Sequence, residues 1–381
     1  MGKRSSKYII GLTGNIGTGK SLVRRMLEHL GAYGIDADAL SHRAIAKGAP
    51  AYRPVVNMFG QWILTPDGEI DRAKLGRIVF ADPVALHDLE VQIHPLVLEA
   101  VSLLIRRASQ PVVVIEAIKL FESPLREICD SLWVVTCPPE VQLWRLVEKR
   151  KMLPADAKMR VEAQPPQSEK TAMADVVINN GGSYDETWKA VMEAWHTTIP
   201  GMLDVEPEPE QGTPQSVGAA IQLAVRRAGS RDAADMAEFL SQTRGNQITT
   251  TEVVESFGEK GYFLLMAGAA LVGVMGWQVE NLVARGLSFD LDSSVPLVSA
   301  VPLWVTEMEK AAAVLQAEAA LMFVPMTMST SPEVWGRLGY QIVAPKDLTV
   351  RAWQEAAQEA MPPGTTLFFK QLRMDRILRP I

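Results

Sequence analysis

The stretch GLTGNIGTGKS, residues 11–21, follows the apolar run KYIIGLT and precedes a segment with helical periodicity. Gly14, Gly19, Lys20 and Ser21 fit the pattern G-x-x-x-x-G-K-[ST] at every position. The glycines of this pattern let successive backbone N–H groups point at phosphate oxygens, and the N-terminus of the following helix adds partial positive charge there. The strand before the loop and the helix after it provide the context that the motif requires. The stretch therefore predicts a nucleotide-phosphate site in an α/β fold.

The motif also predicts individual contacts. The Lys20 ammonium can reach the outer phosphates, and the Ser21 hydroxyl can ligate Mg²⁺. A nucleotide and Mg²⁺ are therefore expected at this loop. The residues that we assign to nucleotide binding are Gly14, Asn15, Ile16, Gly17, Thr18, Gly19, Lys20, Ser21 and Leu22.

Around the loop, apolar runs alternate with helical segments. The helix after the loop places Leu22, Val23, Met26, Leu27 and Leu30 on one face. Further strands are expected at GIDAD, PVVVIEA, SLWVVTC and DVVINNGG, and further helices at PPEVQLWRLVEKR and TWKAVMEAW. Continuous apolar runs that alternate with helices predict a parallel sheet with helices on both faces.

Composition limits the class of protein. A chain of 381 residues predicts two or three domains, and 48% hydrophobic residues suffice for packed cores. A net charge of −6 argues against non-specific nucleic-acid binding. Cys129 and Cys137, the two cysteines, do not make a disulfide framework or a zinc cluster. The basic N-terminus lacks the apolar stretch of a signal peptide, so we expect a cytoplasmic protein.

Residues 261–279, GYFLLMAGAALVGVMGWQV, carry no charge and are nearly long enough to span a bilayer. The alternative, which we favour, is two strands joined by a tight turn near Ala267–Gly268. Three glycines at 268, 273 and 276 cost a soluble helix about 1 kcal/mol each relative to alanine, although membrane helices tolerate them better. The glycines alone do not decide between the two, but a single mid-chain span would put the two halves of the chain on opposite sides of a membrane. We therefore expect a hairpin here and no membrane partner.

A proline-rich, acidic stretch near residues 200–216 has the composition of a linker. It predicts a first domain over 7–200, a linker over 201–219 and a second domain over 220–381.

The chain contains no N-K-x-D motif for guanine and no transporter-type ATPase signature, so a small-molecule kinase is the favoured class. Asp36 and Asp38, in IDAD, follow the loop helix at the expected carboxyl end of the neighbouring strand, where such sheets bind ligands. A carboxylate there can orient an acceptor hydroxyl, accept its proton or hold Mg²⁺. The alternative is that one of the pair caps a helix.

Residues 7 to about 195 resemble the dephospho-CoA kinase family. The matching segments, in chain order, are GLTGNIGTGKS, IDAD, GAPAY at 48–52, DGEIDRAKLGRIVF at 67–80, the pair His94-Pro95, Arg145, RVEAQ with Arg160 and Gln164, and ADVVINN at 174–180.

The resemblance implies transfer of the γ-phosphoryl group of ATP to the ribose 3′-hydroxyl of dephospho-CoA. It makes Asp38 the general base, with Lys20 and Arg145 as the other catalytic residues. Asp36 becomes a supporting or magnesium-linked carboxylate, and Arg160 a lid residue over the nucleotide phosphates. It further implies a helical substrate part at 40–105, which contains Arg72 and His94, and a lid at 145–170. For His94, packing ahead of Pro95 is the alternative.

The chain departs from the family pattern after the third strand. Glu116 stands in place of the family's acidic residue, Ile118 in place of a proline and Lys119 in place of a leucine. Glu116 keeps a carboxylate for magnesium or substrate. In the lid, Lys149 stands where an arginine is usual. A kinase of another small metabolite and a catalytically silent regulatory protein remain the alternatives.

Residues 220–381 resemble the GCN5-related acyltransferase fold in their element order and in WGRLGY at 335–340. We expect a strand at 297–305 and a helix from about 307. The family's [RQ]-x-x-G-x-[GA] loop should lie between them, yet VTEMEKAAAVL contains no glycine. We therefore expect a non-catalytic module, which can still bind a CoA-like ligand or a protein partner.

Overall fold

The computed structural model describes residues 7–199, 223–329 and 331–374. The described residues form two compact units, one within 7–199 and the other within 223–374. The predicted linker at 201–219 lies outside the described residues, so the domain boundary stays a prediction. No helix among the described residues is both long enough and apolar enough to cross a bilayer.

The N-terminal unit is built on a five-stranded sheet of order β2-β3-β1-β4-β5, in which every neighbouring pair is parallel. Its strands are β1 (Tyr8–Thr13), β2 (Tyr33–Asp36), β3 (Val112–Glu116), β4 (Ser131–Thr136) and β5 (Val176–Asn179). This confirms the predicted parallel sheet. The loop at 14–19 leaves the carboxyl end of the central strand, beside β3 on one side and β4 on the other.

α-Helices follow β1, β2, β4 and β5, whereas β3 is followed by a short 3-10 helix, Pro124–Ile128. The α-helices are α1 (Lys20–His29), α2 (Ala37–Ala44), α3 (Tyr52–Phe59), α4 (Arg72–Ala81), α5 (Pro83–Arg107), α6 (Pro139–Trp144), α7 (Pro154–Glu162), α8 (Gln167–Thr171) and α9 (Tyr184–Thr198). A π-helical turn, Arg145–Lys149, continues α6. Helices α2 to α5 form the segment predicted as the helical substrate part, and α7 and α8 lie in the predicted lid.

One core of the N-terminal unit lies between the sheet and the helices α1 and α9. Val23 and Leu27 of α1 pack with Leu12 and Trp133 of the sheet and with Trp195 of α9. All five are buried, so the helix that carries the loop is fixed to the sheet on its apolar face. This packing sets the direction in which the N-terminus of α1 points.

The C-terminal unit has a seven-stranded sheet of order β11-β12-β10-β9-β8-β7-β6. The pair β9–β10 is parallel and the other neighbouring pairs are antiparallel. Its strands are β6 (Leu223–Arg227), β7 (Gly261–Ala267), β8 (Ala270–Glu280), β9 (Val283–Leu291), β10 (Ala319–Pro325), β11 (Gln341–Ile342) and β12 (Thr365–Gln371). Its helices are α10 (Ala233–Arg244), α11 (Thr250–Ser256), α12 (Leu297–Val314), α13 (Pro332–Arg337) and α14 (Arg351–Ala360).

Strand alternation separates the two faces of the second sheet. Phe263 and Leu265 of β7 join the core that contains α12. Tyr262 and Leu264 of the same strand join the core beneath α10 and α11. The hairpin predicted at 261–279 is therefore present as β7 and β8, with the turn at Gly268, where φ is +62°.

The strand predicted at 297–305 was wrong, because this segment is the first half of α12. A short apolar run does not distinguish a buried strand from a buried helix. The buried positions Ala300, Val301, Trp304, Val305 and Met308 recur at helical spacing and face the sheet. The loop between β9 and its following helix is consequently 292–296, DSSVP, and not the segment predicted to hold it. That loop also contains no glycine.

Candidate active site

The loop at 14–19 turns against the end of β5, and Gly19 is the residue that makes this possible. Its φ is +93°, in the left-handed region, and a Cβ there would lie 2.0 Å from the Asn180 side-chain nitrogen. Asn180 donates a hydrogen bond from that nitrogen to the Thr18 carbonyl, at 2.8 Å. Glycine is thus required both for the backbone conformation and for the close approach.

Side chains from the lid segment and from α6 hold the same loop. The Gln142 side chain donates to the Ile16 carbonyl at 2.8 Å, and Ile16 N–H donates to the Gln164 side chain at 2.7 Å. Asn15 donates from its amide to the Pro165 carbonyl at 2.9 Å. The lid therefore contacts the loop through backbone groups as well as side chains.

Arg145 lies at the start of the π-helical turn and contacts the loop directly. Its guanidinium donates to the Thr18 carbonyl at 3.1 Å and to the Asn180 carbonyl at 2.8 Å. These bonds fix the loop to the end of β5 and bring a permanent positive charge beside it.

Behind the loop, Ser21 and Arg24 of α1 converge on Glu116 at the end of β3. The Ser21 hydroxyl donates to one carboxylate oxygen at 2.9 Å, and Arg24 Nε donates to the other at 2.8 Å. Burial pushes the pKa of Glu116 upward, but the charges of Arg24 and Lys20 outweigh it and leave this pKa below its usual range. Glu116 is thus a buried, ionised carboxylate.

Lys20 is 8% exposed, and its ammonium donates to the Asn15 carbonyl at 3.3 Å. Burial lowers its pKa, while the nearby carboxylates of Glu116 and Asp38 act in the opposite direction. The ammonium is therefore held at the loop backbone, within the electrostatic influence of Glu116 and Asp38.

Asp36 and Asp38 occupy different environments although they are two residues apart. Asp36 and Glu116 lie opposite each other in the register of the parallel strands β2 and β3. Asp36 also caps α2, because its carboxylate accepts from Ala39 N–H at 2.9 Å. Burial, reinforced by the Glu116 charge, raises its pKa to about 6. Asp38 accepts from the Ile118 N–H at 3.0 Å, and burial raises its pKa as well.

Lys170, on α8, is buried close to these carboxylates. Its ammonium donates to the Ile118 carbonyl at 3.0 Å, and the Thr13 hydroxyl donates to the same oxygen at 3.0 Å. Burial lowers the pKa of Lys170, although the charges of Glu122 and Asp38 raise it. The site thus contains two buried lysines and three carboxylates around the end of the loop.

A family model described as dephospho-CoA kinase (CoaE) matches residues 8–186 of this chain. A curated dephospho-CoA kinase of Geobacter sulfurreducens is 42% identical over 195 residues, which are 50% of this chain and 99% of that protein. The chain belongs to the dephospho-CoA kinase family. This confirms the resemblance stated for the first domain and the expected class of enzyme, a kinase.

Two solved structures resemble the two parts of the chain. The structure of TT1252 from Thermus thermophilus covers 51% of this chain and 99% of its own, with 31% identity and a TM-score of 0.47. An acetyltransferase of the GNAT family from Staphylococcus aureus Mu50 covers 40% of this chain and 99% of its own, with 9% identity and a TM-score of 0.31.

Not every residue that the family resemblance assigned lies in this cluster. Arg160 is exposed on α7 and makes no hydrogen bond or ion pair within the described residues. Arg72 is exposed at the start of α4. His94 is half-buried in α5, which packs against α2, the helix that contains Asp38. The roles of these three residues stay predictions.

Sequence reasoning assigned no role to Lys170 or Thr13. Lys170 lies in QSEK, a polar stretch whose pattern is typical of a solvated helix face, so the sequence contained no signal for it. Thr13 could have been found, because it is the last residue of the strand that leads into the loop.

Among the described residues, no group of three His, Cys, Asp or Glu side chains is arranged to hold a metal ion. Oxygen atoms near the loop that could bind a metal ion include the Ser21 hydroxyl and the carboxylates of Asp36, Asp38 and Glu116. Hard oxygen ligands in small number suit Mg²⁺, which keeps several waters and is usually completed by substrate phosphates. The residues present therefore fit this ion together with a nucleotide.

Proposed function

We propose that this chain transfers the γ-phosphoryl group of ATP to the ribose 3′-hydroxyl of dephospho-CoA, which yields coenzyme A and ADP. The observation that carries the proposal is the position of Asp38 beside Lys20, at the carboxyl end of the sheet, next to a phosphate-binding loop. A carboxylate base and a phosphate-binding ammonium are the two groups that such a transfer requires within one site.

In the proposed mechanism, the N–H groups of the loop and the N-terminus of α1 hold the ATP phosphates. Lys20 stabilises the negative charge on the transferring group. Asp38 accepts the proton of the 3′-hydroxyl as that oxygen attacks the γ-phosphorus, and ADP leaves. Ser21 and either Asp36 or Glu116 would hold Mg²⁺, which would supply charge neutralisation at the phosphates.

The contacts of Arg145 add a supporting part to the catalytic one assigned to it above. Its guanidinium donates to the carbonyls of Thr18 and Asn180, so it holds the shape of the loop in this arrangement and places a positive charge beside the loop. Gln164 and Pro165 keep the lid against the loop, which limits the access of water to the phosphoryl group.

The test is ADP release by the full chain with ATP, Mg²⁺ and dephospho-CoA, compared with the same mixture without acceptor. Release that depends on dephospho-CoA, with coenzyme A as product, supports the proposal. A panel of other acceptors, such as nucleosides and shikimate, tests the alternative of another small metabolite. Nucleotide binding without transfer to any acceptor would favour a catalytically silent regulatory protein.

For residues 223–374 we propose a module without acyltransferase activity. The glycine-free loop 292–296 supports this, because close backbone approach to a pyrophosphate requires glycine. Such a module can bind a CoA-like ligand or a protein partner. Release of free thiol from acetyl-CoA in the presence of amine acceptors, beyond that of the acceptor-free control, would contradict the proposal.

A further inference from the structure

The backbone of Ile118 connects the lid to the proposed catalytic base. Its N–H donates to Asp38 Oδ2 at 3.0 Å. Its carbonyl accepts from Lys170 Nζ of α8 and from Thr13 Oγ1 of β1, each at 3.0 Å. Ile118 follows β3 in a turn, where no strand ladder holds its backbone in place. Its position therefore depends on these side-chain contacts.

Burial of the Lys170 ammonium at this position has a high desolvation cost. Lys170 is 6% exposed, and within the described residues its ammonium makes a hydrogen bond to the Ile118 carbonyl and no ion pair. An ammonium has three donors and loses much hydration on burial, so a purely structural contact at this site would favour an apolar side chain. The charges of Asp38 and Glu122 favour the protonated form of this ammonium, and it repels Lys20.

We propose that Lys170 and Thr13 are positioning residues for the phosphoryl transfer. They fix the carbonyl of Ile118, and the N–H of the same residue then holds the Asp38 carboxylate in the direction of the acceptor hydroxyl. Since Lys170 belongs to the lid segment, the base is aligned when α8 is in place. This inference rests on the proposed function, in which Asp38 is the base.

The first experiment measures kcat, both KM values and ATP affinity for Lys170→Met and Thr13→Val in the full chain. We expect Lys170→Met to lower kcat by about 10- to 100-fold, since small misplacements of a catalytic group cost that much. Thr13→Val should lower it less, because the Lys170 contact remains. ATP affinity should stay within about twofold. Lys158→Met, which removes an exposed lysine of α7, is the matched control.

A double-mutant cycle with Asp38→Asn distinguishes positioning from other roles. If Lys170 acts through Asp38, Lys170→Met should cause little further loss of kcat in the Asp38→Asn background. An equal loss in both backgrounds would overturn the proposal. So would a loss of ATP affinity that follows the loss of kcat, because Lys170 would then bind the nucleotide phosphates.

Hydrogen exchange at the Ile118 amide provides a readout that does not need the acceptor. Lys170→Met should speed this exchange, and Lys158→Met should leave it unchanged. If the parent protein does not phosphorylate dephospho-CoA, the proposed function fails and the exchange still decides the link. Unchanged exchange in Lys170→Met would overturn the link between Lys170, Ile118 and Asp38.

Discussion

Asp36 and Asp38 show how neighbouring carboxylates can be given different tasks by their surroundings. Asp36 caps α2 and lies beside Glu116, so burial and a like charge both disfavour its ionised form. Asp38 accepts an N–H from Ile118 and lies within the influence of Lys20. The surroundings of Asp36 suit a structural or magnesium-linked carboxylate, and those of Asp38 suit a base held beside the phosphate site.

Replacement of Asp38 by Asn tests the assignment of the base. An amide oxygen can still accept from the Ile118 N–H, so the local structure should persist while the proton acceptor is lost. We expect kcat for dephospho-CoA to fall by about 10²- to 10⁴-fold, the usual contribution of general base catalysis. ATP affinity, measured by calorimetry, should change by no more than about twofold.

The control for this variant is Asp156→Asn, which changes an exposed carboxylate of the lid helix α7. It should turn over at the rate of the parent protein. Normal turnover by Asp38→Asn would show that another group accepts the proton.

Replacement of Asp36 by Asn tests how much the ionised carboxylate of Asp36 lowers the free energy of unfolding. Burial beside Glu116 raises the pKa of Asp36 from 3.8 to about 6, so ionisation of this group destabilises the fold as the pH rises through that window. Asn caps a helix as well as Asp does, so the variant removes mainly the charge. We expect Asp36→Asn to unfold with the same free energy as the parent near pH 4. At pH 8 it should be more stable by about 2–3 kcal/mol.

The measurement is urea unfolding at both pH values, with a chelator present to exclude bound metal ions. Asp71→Asn is a suitable control, because Asp71 also caps a helix, α4, but its hydrogen bonds with Lys74 and Ala73 N–H lower its pKa. This control should show no gain at pH 8. A gain of Asp36→Asn that is equal at both pH values would contradict the assigned cause.

At the scale of elements, the loop and the strand end that supports it form one structure. Gly19, the N-cap of α1, is in a left-handed conformation, and Asn180, one residue beyond β5, holds the Thr18 carbonyl beside it. The lid segment contributes Gln164 and Pro165 to the same loop. A substitution that alters the loop should therefore also alter the contacts with the end of β5 and with the lid segment.

Gly19→Ala should disrupt this element. The added Cβ would lie 2.0 Å from the Asn180 nitrogen and would also strain φ at +93°. We expect loss of measurable ATP binding and of kinase activity, because the N–H groups would no longer converge on the phosphates. ATP affinity and the melting temperature of the kinase unit are the quantities to measure.

Gly31→Ala provides the matched control. Gly31 has a similar φ, +102°, but no atom lies within 4 Å of the added Cβ. It should cost about 1 kcal/mol of stability from backbone strain and leave ATP affinity unchanged. Equal loss of ATP binding in both variants would mean that strain, and not the contact with Asn180, governs the loop.

The same elements show what the sequence could predict. The phosphate loop was predictable because its glycines, lysine and serine keep a fixed spacing between a strand and a helix, all within 20 residues. The helix over 297–305 was not predictable, because a short apolar run is expected both for a buried strand and for a buried helix. Lys170 was not predictable either, since its contact with Ile118 joins residues that are 52 positions apart in the chain.

At the scale of the whole molecule, each unit buries its own apolar cores. Trp133 of β4 is fully buried in the first unit. In the second unit, Trp335 of α13 is 1% exposed and packs on the rings of Phe289, Tyr340 and Phe368. Separate cores imply that each unit can lose stability without the other, which is the usual behaviour of domains.

Trp335→Ala in the full chain tests this separation. Removal of a buried tryptophan costs about 3–5 kcal/mol, so the second unit should unfold at a lower temperature in calorimetry. Dephospho-CoA kinase activity at 25 °C should remain within about twofold of the parent, because none of the proposed catalytic residues lies in that unit. Trp133→Ala, the reciprocal variant, should lower the melting temperature of the first unit and the kinase activity together. Loss of kinase activity in Trp335→Ala would show that the first unit depends on the second for its fold or its site, and the assignment of function to residues 7–199 alone would have to be abandoned.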